Sequence, residues 1–285
     1  MTATSVSEAD QAMEKWVDPC NNYMFVDVDG DIRYLNRGQV PVRSIENAWL
    51  PVPGWTGDHE WEGSIPFRDM PRSTNPDNGF IVTANNKIIG DQFPYYMALD
   101  YAPEFRAKRI VERIEGLDKA TVEDLVSVHS ERTSIPASVY VPHILTLQNL
   151  GTLESQAQEV LRNWIYEMDP DSSAAAIYSA FRWKLHGRVI GSLLGPLADQ
   201  ALVSGGRGAP THMNHLAIRL IEGLKNGDTS LLPDDQTWEA VIAQAFTEGV
   251  EYLRETLGEE PKNWGWGRLH YTNPVHTLAD IFPDH

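Results

Sequence analysis

Two consecutive asparagines, Asn85 and Asn86, end a short apolar run and offer the clearest chemistry in the chain. The run follows a turn that starts at Asn75-Pro76 and ends at Gly79, where proline fixes φ and glycine tolerates positive φ. Phe80 to Val82 are predicted to form a buried strand. A side-chain amide on such a rigid element can donate a hydrogen bond to charge that develops on a substrate oxygen. The structural alternative is a strand-end asparagine that bonds nearby backbone.

Other candidate motifs for catalysis or metal binding are weak. His212 and His215 approach metal-ligand spacing, but no Cys, Asp or Glu stands near them, so a loop or helix-surface pair is expected. Cys20 has no base that the sequence can assign to it and is predicted to be a buried, inert thiol. The string from Asp27 to Asp31 lacks the Gly and Glu positions of an EF-hand and is predicted to be a hairpin tip. Gly205 to Gly208 lacks a P-loop lysine and is predicted to be a flexible loop.

Three tryptophans, Trp49, Trp55 and Trp61, lie among prolines and a glycine and permit two interpretations. They could form a platform on which sugars stack, or they could be aromatic plugs under long loops, which is the commoner use of large aromatics. Exposed, coplanar indoles would favour glycan binding.

Composition excludes some classes of partner. The 285 residues carry a formal net charge of −17, which repels phosphate backbones and anionic lipid, so neither nucleic acid nor a membrane surface is an expected partner. No stretch approaches the ~18 apolar residues of a membrane span. The first ten residues lack the basic start and apolar core of a signal peptide, and the single cysteine leaves the compartment open.

The apolar spacing changes near residue 100. Before it, Tyr23 to Val28 and Ile32 to Leu35 are predicted to form a hairpin that turns at Asp29-Gly30. From Pro103 onward the spacing is helical, and Thr121 to Asp124 resembles a capping box.

Two later segments have their own patterns. One helix is predicted from apolar residues at steps of three and four, namely Trp238, Val241, Ile242, Ala245, Phe246, Val250 and Leu253. Trp264 to His270 alternates bulky and small residues and is predicted to be a strand packed closely against another backbone.

Four ordered groups of segments carry a family resemblance. They are Asn22–Ile32 with Gly38–Arg43; Trp61–Phe67 with Met70-Pro71 and Asn75–Asn86; Tyr101–Ile110; and Trp264–His270 with His276–Leu278. The series resembles the penicillin amidase family of N-terminal-nucleophile hydrolases, which includes acyl-homoserine-lactone acylases. Together the segments cover most of the chain. The resemblance also implies that Trp61 is buried beside the strand that carries Asn85.

The resemblance implies an α+β fold that holds part of a four-layer αββα core and is helix-rich after about residue 102. Residues 1–285 would be one partial domain of the family's β-chain. It would comprise a strand- and loop-rich part at 1–101, a helical part at 102–262 and a return-strand region at 263–285.

The resemblance also implies roles for two residues. Asn85 stands where the family's asparagine donates its side-chain amide to the oxyanion, and Asn86 would secure the turn. Arg106 stands where an arginine lies close to the reaction centre, tuning the nucleophile's amine and holding polar neighbours. In an alternative register of the alignment, Arg109 would take the place of this arginine. The structural alternative for Arg106 is a helix-start arginine in a surface ion pair.

The chain also departs from the family. The family's nucleophile is a serine exposed as a new N-terminus by self-cleavage, with its own α-amino group as the base. That serine would lie upstream of the segment from Tyr23, so the nucleophile is absent here, and Thr2 is misplaced relative to Asn85. A calcium-ligand position of the complete enzymes aligns near Met97, with Asp100 a weak substitute, so no cofactor is expected in this chain. Separately, the tripeptide at 164–166, Trp-Ile-Tyr, replaces a common Trp-Asp-Gly.

The function implied is that of part of an acylase that hydrolyses linear amides by acyl transfer. Its substrates would carry an apolar acyl group, and its partner would be the missing upstream segment, without which the chain is expected to be inactive. Typical members are periplasmic or secreted. Two alternatives stay open, a non-catalytic relic that binds acyl groups and a glycan-binding module.

Overall fold

The structure, a computed structural model, describes residues 2–202, 211–233 and 235–272. The chain divides into two compact units, Met1–Gly116 and Leu117–His285. Helices and a small antiparallel sheet make it an α+β protein, as predicted. The assignment of all 285 residues to one partial domain stays a prediction.

The first unit contains one three-stranded antiparallel sheet in its described residues, in the order β1-β2-β3. Its elements in chain order are α1 (Val6–Ala12), β1 (Asn21–Val26), β2 (Ile32–Arg37), α2 (Glu46–Trp49), β3 (Arg72–Thr74) and α3 (Phe105–Glu115). Helix α3 begins close to the predicted start of the helical part.

The hairpin of β1 and β2 is confirmed, with Val26 paired to Ile32. At its tip the Asp27 carboxylate accepts hydrogen bonds from the backbone N–H groups of Val6 and Asp31, at 3.1 and 3.0 Å, and Gly30 has a φ of +89°. These bonds, that from Val6 first, lower the pKa of Asp27. The carboxylate therefore organises the turn.

The predicted strand at Phe80 to Val82 is wrong, because these residues are half-buried coil. Strand β3 ends at Thr74, and the next residue, Asn75, has a φ of +46°. The Asn75 N–H still donates to the Ile32 carbonyl at 3.0 Å, and the Asn75 side-chain oxygen accepts from the Ile32 N–H at 2.8 Å. The chain then leaves the sheet, and within the described ranges residues 80–82 belong to no strand ladder. Without a ladder partner a β-branched run does not become a strand.

The prediction that Trp61 is buried is also wrong, because 62% of its surface is exposed. An isolated bridge between Pro41 and Ser64 closes the tryptophan-rich loop at its base and directs Val40 and Ile65 into a small core. In a regular strand, Trp61 and Ile65 would point to the same side. Gly63, with a φ of +106°, breaks this pattern between them, so that Ile65 is buried while Trp61 is exposed.

The second unit is helical in its described residues. Its helices are α4 (Val122–His129), α5 (Ile135–Leu145), α6 (Thr152–Leu161), α7 (Ser173–Leu194), α8 (Ala198–Leu202), α9 (Thr211–Asn226) and α10 (Trp238–Leu257). All seven apolar positions predicted for α10 are buried. The capping box is confirmed, since Thr121 and Asp124 exchange side-chain to backbone hydrogen bonds at 3.1 and 2.9 Å.

Helices α7 and α10 form the centre of this unit and approach closely at Gly249. A Cβ there would lie 2.9 Å from the Phe181 backbone nitrogen. His186, also on α7, is fully buried, and neither ring nitrogen has a hydrogen-bond partner among the described residues. Burial lowers its pKa to about 3, so it is held neutral.

The predicted strand at Trp264 to His270 is wrong, although the predicted close packing is confirmed. The segment contains a 3₁₀ turn, Trp266–Arg268, and the Trp266 ring stacks on His270 with centroids 4.5 Å apart. Residues four apart in a strand would be separated by roughly 13 Å. Gly267 meets another backbone, donating its N–H to the Pro170 carbonyl at 2.6 Å. Two predictions lie outside the described residues. One is the flexible loop at Gly205 to Gly208, and the other is the return-strand region beyond residue 272, which includes His276 to Leu278.

Candidate active site

Asn85 lies on an exposed loop rather than at a strand end. Its φ of +63° is in the left-handed region, which asparagine tolerates better than most residues. Its backbone carbonyl accepts a hydrogen bond from the Ala102 N–H at 2.8 Å. This bond ties the loop to the segment that leads into α3.

Arg106, in the first turn of α3, fixes the Asn85 side chain. Its Nη2 donates to the Ala84 carbonyl at 2.7 Å and to Asn85 Oδ1 at 3.1 Å. Because a guanidinium has donors only, the Asn85 atom that faces Arg106 must be the oxygen. The amide nitrogen Nδ2 is therefore turned away, and in the described part of the chain no residue accepts its hydrogen bonds.

The positive charge on Arg106 also strengthens the amide as a donor. A cation bonded to the amide oxygen polarises the group, and hydrogen bonds in a chain reinforce one another. The pair thus presents a neutral, oriented N–H donor. Both side chains are exposed, so the donor faces water in this structure.

Asn86 secures the turn, as predicted. Its Oδ1 accepts from the Ala84 N–H at 3.0 Å, and its Nδ2 donates to the Lys87 carbonyl at 3.2 Å. Arg109, the alternative register, forms an ion pair with Glu112 at 3.0 Å on α3. Arg106 is therefore the arginine of this helix that contacts Asn85.

A shallow groove of about 330 Å³ lies beside this loop. Its lining residues are Val82, Asn86, Glu104, Ala107, Lys108, Val111 and Glu112. An ion pair between Lys108 and Glu104 at 2.7 Å stands on its wall. Asn85 is not among the lining residues, so the groove adjoins the oriented amide without containing it.

Sequence reasoning missed the contact that holds the loop on its other side. Thr83 Oγ1 accepts a hydrogen bond from Asn22 Nδ2 at 2.9 Å. These residues are 61 positions apart, so no local pattern links them. The available signal was that each lies in one of the segments that carry the family resemblance.

The other sequence candidates lie apart from this pair. Cys20 is exposed, so the prediction of a buried thiol is wrong. It lies just before β1, with its backbone and Cβ close to Gly38. Its Sγ donates to Asn36 Oδ1 at 3.6 Å, and desolvation raises the thiol pKa, which disfavours the nucleophilic thiolate. Met97 packs against the small apolar core. His212 and His215 lie on α9, and their side chains are outside the description.

Comparison with models of protein families shows to which family the chain belongs. The family model for penicillin amidase matches residues 1–284. The chain belongs to the penicillin amidase family. It is 33% identical to a penicillin acylase 2 proenzyme from Pseudomonas sp. (strain SE83), covering 99% of this chain and 35% of that protein. It is 24% identical to an acyl-homoserine lactone acylase, QuiP, from Pseudomonas fluorescens (strain Pf0-1), covering 94% of this chain and 35% of that protein.

The fold agrees with this membership of the penicillin amidase family. A thermostable penicillin G acylase from Alcaligenes faecalis superposes with a TM-score of 0.70 at 18% identity, over 92% of this chain and 51% of that one. The likeness confirms the predicted fold class. The chain spans about a third of the length of these curated relatives, 35% in both cases.

One residue with a bulky side chain, Tyr166, has a left-handed backbone conformation. Tyr166 adopts a φ of +66°, where glycine is unstrained. Its carbonyl accepts a hydrogen bond from the Ser134 N–H at 2.9 Å, and its ring contacts Trp164 with centroids 5.6 Å apart. A tyrosine thus occupies a backbone conformation that glycine would adopt without strain.

Two findings concern metals and membranes. Over the described ranges no group of three or more His, Cys, Asp or Glu side chains could hold a metal ion. Within the same ranges, no helix has the length and apolarity needed to cross a bilayer.

Proposed function

We propose that this chain is the part of a penicillin-amidase-type acylase that supplies the oxyanion-hole donor, Asn85, to amide hydrolysis by acyl transfer. The observation that carries the proposal is the bond from Arg106 to Asn85 Oδ1, which leaves Nδ2 free to donate. Family membership makes the amide bond the expected target.

The chemistry requires such a donor. Attack on an amide carbonyl places negative charge on its oxygen, and collapse of the tetrahedral intermediate releases the amine and leaves an acyl-enzyme, which water then hydrolyses. An oriented N–H donor at the oxygen typically contributes ~2.7–4 kcal/mol to transition-state stabilisation. That effect needs a site shielded from water, so further chain must cover Asn85 in the working enzyme.

The nucleophile comes from elsewhere in this proposal. A serine with a free α-amino group, carried on an upstream segment, attacks the carbonyl and uses that amine as its base. The chain alone is then inactive, and the pair acts as a split or processed enzyme. The length of the relatives, of which this chain spans 35%, supports the need for such a segment.

Arg106 has two effects in this scheme. It orients the Asn85 amide, and its charge favours the neutral form of a nearby amine, which is the form that acts as a base. Substrates carry an apolar acyl group. A periplasmic or secreted location, and calcium in the complete enzyme, belong to the same proposal.

Reconstitution tests the proposal. The DNA on both sides of the gene is sequenced, and the chain is co-expressed with the serine-bearing segment found upstream. Hydrolysis of an arylamide with an apolar acyl group is expected from the pair and from neither chain alone, and not when that serine is replaced by alanine. Unrelated genes on both sides, or a folded pair without activity, would contradict the proposal and favour a non-catalytic relic.

A second candidate is a glycan-binding surface, and the exposure of the tryptophans favours it. Trp49, Trp55 and Trp61 are 59%, 88% and 62% exposed. Exposed indoles can stack on sugar rings. Retention of the chain on an insoluble polysaccharide, lost in Trp55→Ala, would support this function, and passage of the wild-type chain without delay would reject it.

A further inference from the structure

Asn22, on β1, uses both ends of its side-chain amide within the first unit. Its Oδ1 accepts from the Tyr34 hydroxyl at 2.7 Å and from Asn36 Nδ2 at 2.9 Å, and its Nδ2 donates to Thr83 Oγ1 at 2.9 Å. Tyr34 and Asn36 are both 8% exposed, so two of its partners are buried on the sheet. Asn22 therefore joins the sheet to the loop that carries Asn85.

The donors on the sheet determine the direction of this link. Tyr34 and Asn36 both direct N–H or O–H donors at Asn22, which places the amide oxygen toward the sheet. The nitrogen must then face Thr83. A leucine at this position would have a similar size but would leave both buried donors and the Thr83 hydroxyl without this partner.

The loop is consequently held from two sides. Thr83, two residues before Asn85, is bound to the sheet through Asn22. On the other side, Arg106 binds the Ala84 carbonyl and Ala102 binds the Asn85 carbonyl. Because residues 80–83 have no strand pairing within the described ranges, side-chain bonds replace a ladder here.

We infer that Asn22 is a positioning residue, which sets the place of the Asn85 amide through the Thr83 hydroxyl. The inference rests on the proposed function of Asn85. Asn22 touches no reacting atom in this account. Its effect on catalysis would pass through the geometry of the loop, where a displacement of about 1 Å can cost on the order of 10²-fold in rate.

The first test needs no activity and uses the full chain. Thr83→Val and Asn22→Leu remove the link, Thr83→Ser keeps the hydroxyl, and Asn21→Ala is an exposed control on the same strand. Hydrogen exchange of the Ala102 amide, which bonds the Asn85 carbonyl, is measured by NMR. The two link-breaking variants are expected to exchange roughly 2- to 10-fold faster, as loss of one typical hydrogen bond allows, while Thr83→Ser and Asn21→Ala match the wild type.

Wild-type exchange in Thr83→Val would overturn the inference, even if Asn22→Leu failed to fold. Thr83→Val changes one half-buried loop hydroxyl to a methyl group and leaves the sheet intact.

The second test separates this inference from the proposed function. In the reconstituted enzyme, Thr83→Val is expected to lower kcat with little change in KM, and to add little once Asn85→Gly has removed the amide. If Asn85→Gly lowers kcat but Thr83→Val changes neither exchange nor kcat, the positioning role fails alone. If Thr83→Val speeds exchange but Asn85→Gly leaves kcat unchanged, the proposed function fails, and the role inferred for Asn22 in catalysis fails with it.

Discussion

The guanidinium of Arg106 donates to the side-chain oxygen of Asn85 at 3.1 Å, across 21 residues of sequence. A donor-only partner fixes which end of an asparagine amide points outward. Arg106 thereby sets the orientation of the Asn85 amide. The loop itself does not fix that orientation, since its residues belong to no strand.

Removing Arg106 should release the Asn85 amide. We expect Arg106→Leu to lower kcat of the reconstituted enzyme by roughly 10- to 100-fold, the scale of one lost hydrogen bond to a charged group. The kcat of Arg106→Lys should lie between those of the wild type and Arg106→Leu, because lysine keeps the charge but not the planar guanidinium. Arg109→Leu, which breaks the ion pair with Glu112 on the same helix, is the matched control and should stay near the wild type. Equal losses in the Arg106→Leu and Arg109→Leu variants would contradict the orienting role.

Variants of Tyr166 should reveal the backbone strain of a tyrosine in the left-handed region of φ. Replacement by glycine or alanine removes the same ring contact with Trp164, but only glycine is unstrained at a φ of +66°. We expect Tyr166→Gly to be more stable to urea than Tyr166→Ala by about 1 kcal/mol. The opposite order, which the greater unfolded-state freedom of glycine would give at an ordinary position, would show that the conformation is not maintained.

The close approach of α7 and α10 should make Gly249 intolerant of a side chain. A Cβ at Gly249 would meet backbone atoms of Phe181 at 2.9 Å and Ala180 at 3.1 Å. We expect Gly249→Ala to lower the free energy of unfolding by about 1–3 kcal/mol. Gly191→Ala, on α7 with nothing within 4 Å, should instead stabilise the protein by up to about 1 kcal/mol in the same urea titration. A Gly249→Ala variant as stable as Gly191→Ala would refute this packing.

His186 should make the second unit sensitive to acid. Burial, followed by the nearby charge of Arg182, lowers its pKa to about 3, against about 6.5 in an unfolded chain. Between these values the unfolded state binds more protons, so stability is lost as pH falls below 6.5, by up to about 1.4 kcal/mol per pH unit from this residue.

The measurement is the free energy of unfolding from pH 7 to pH 4. His186→Leu should show a smaller decline than the wild type, while His129→Gln, at an exposed position on α4, should keep the contribution of His186. An identical decline in the wild type and His186→Leu would argue against a neutral, buried imidazole.

Local patterns predicted the helices well and the strands less well. The seven apolar positions of α10 follow from the period of a single helix, which satisfies its own backbone. The run from Phe80 to Val82 has strand composition, but a strand also needs a partner, which the sequence of the run cannot supply. The alternation of bulky and small residues from Trp264 to His270 suggested a strand, but the segment contains a 3₁₀ turn, Trp266–Arg268, and the Trp266 ring stacks on His270.

Residue patterns alone pointed to Asn85 as a candidate donor, but its pairing with Arg106 was accessible only through the family resemblance. Spacing alone gives no reason for Asn85 to meet Arg106, and the link from Asn22 to Thr83 spans 61 residues. Such contacts depend on how the whole unit folds, so periodicity and motif spacing carry no information about them.

The most direct test of the account is kcat of the reconstituted enzyme with Asn85 replaced. Asn85→Gly removes the amide but fits a φ of +63°, whereas Asn85→Ala removes the amide and strains the backbone. If the amide stabilises the oxyanion, both variants should lose about 10²- to 10³-fold in kcat with KM little changed. A Gly variant that turns over at the wild-type rate would show that only the backbone matters and would contradict the central claim.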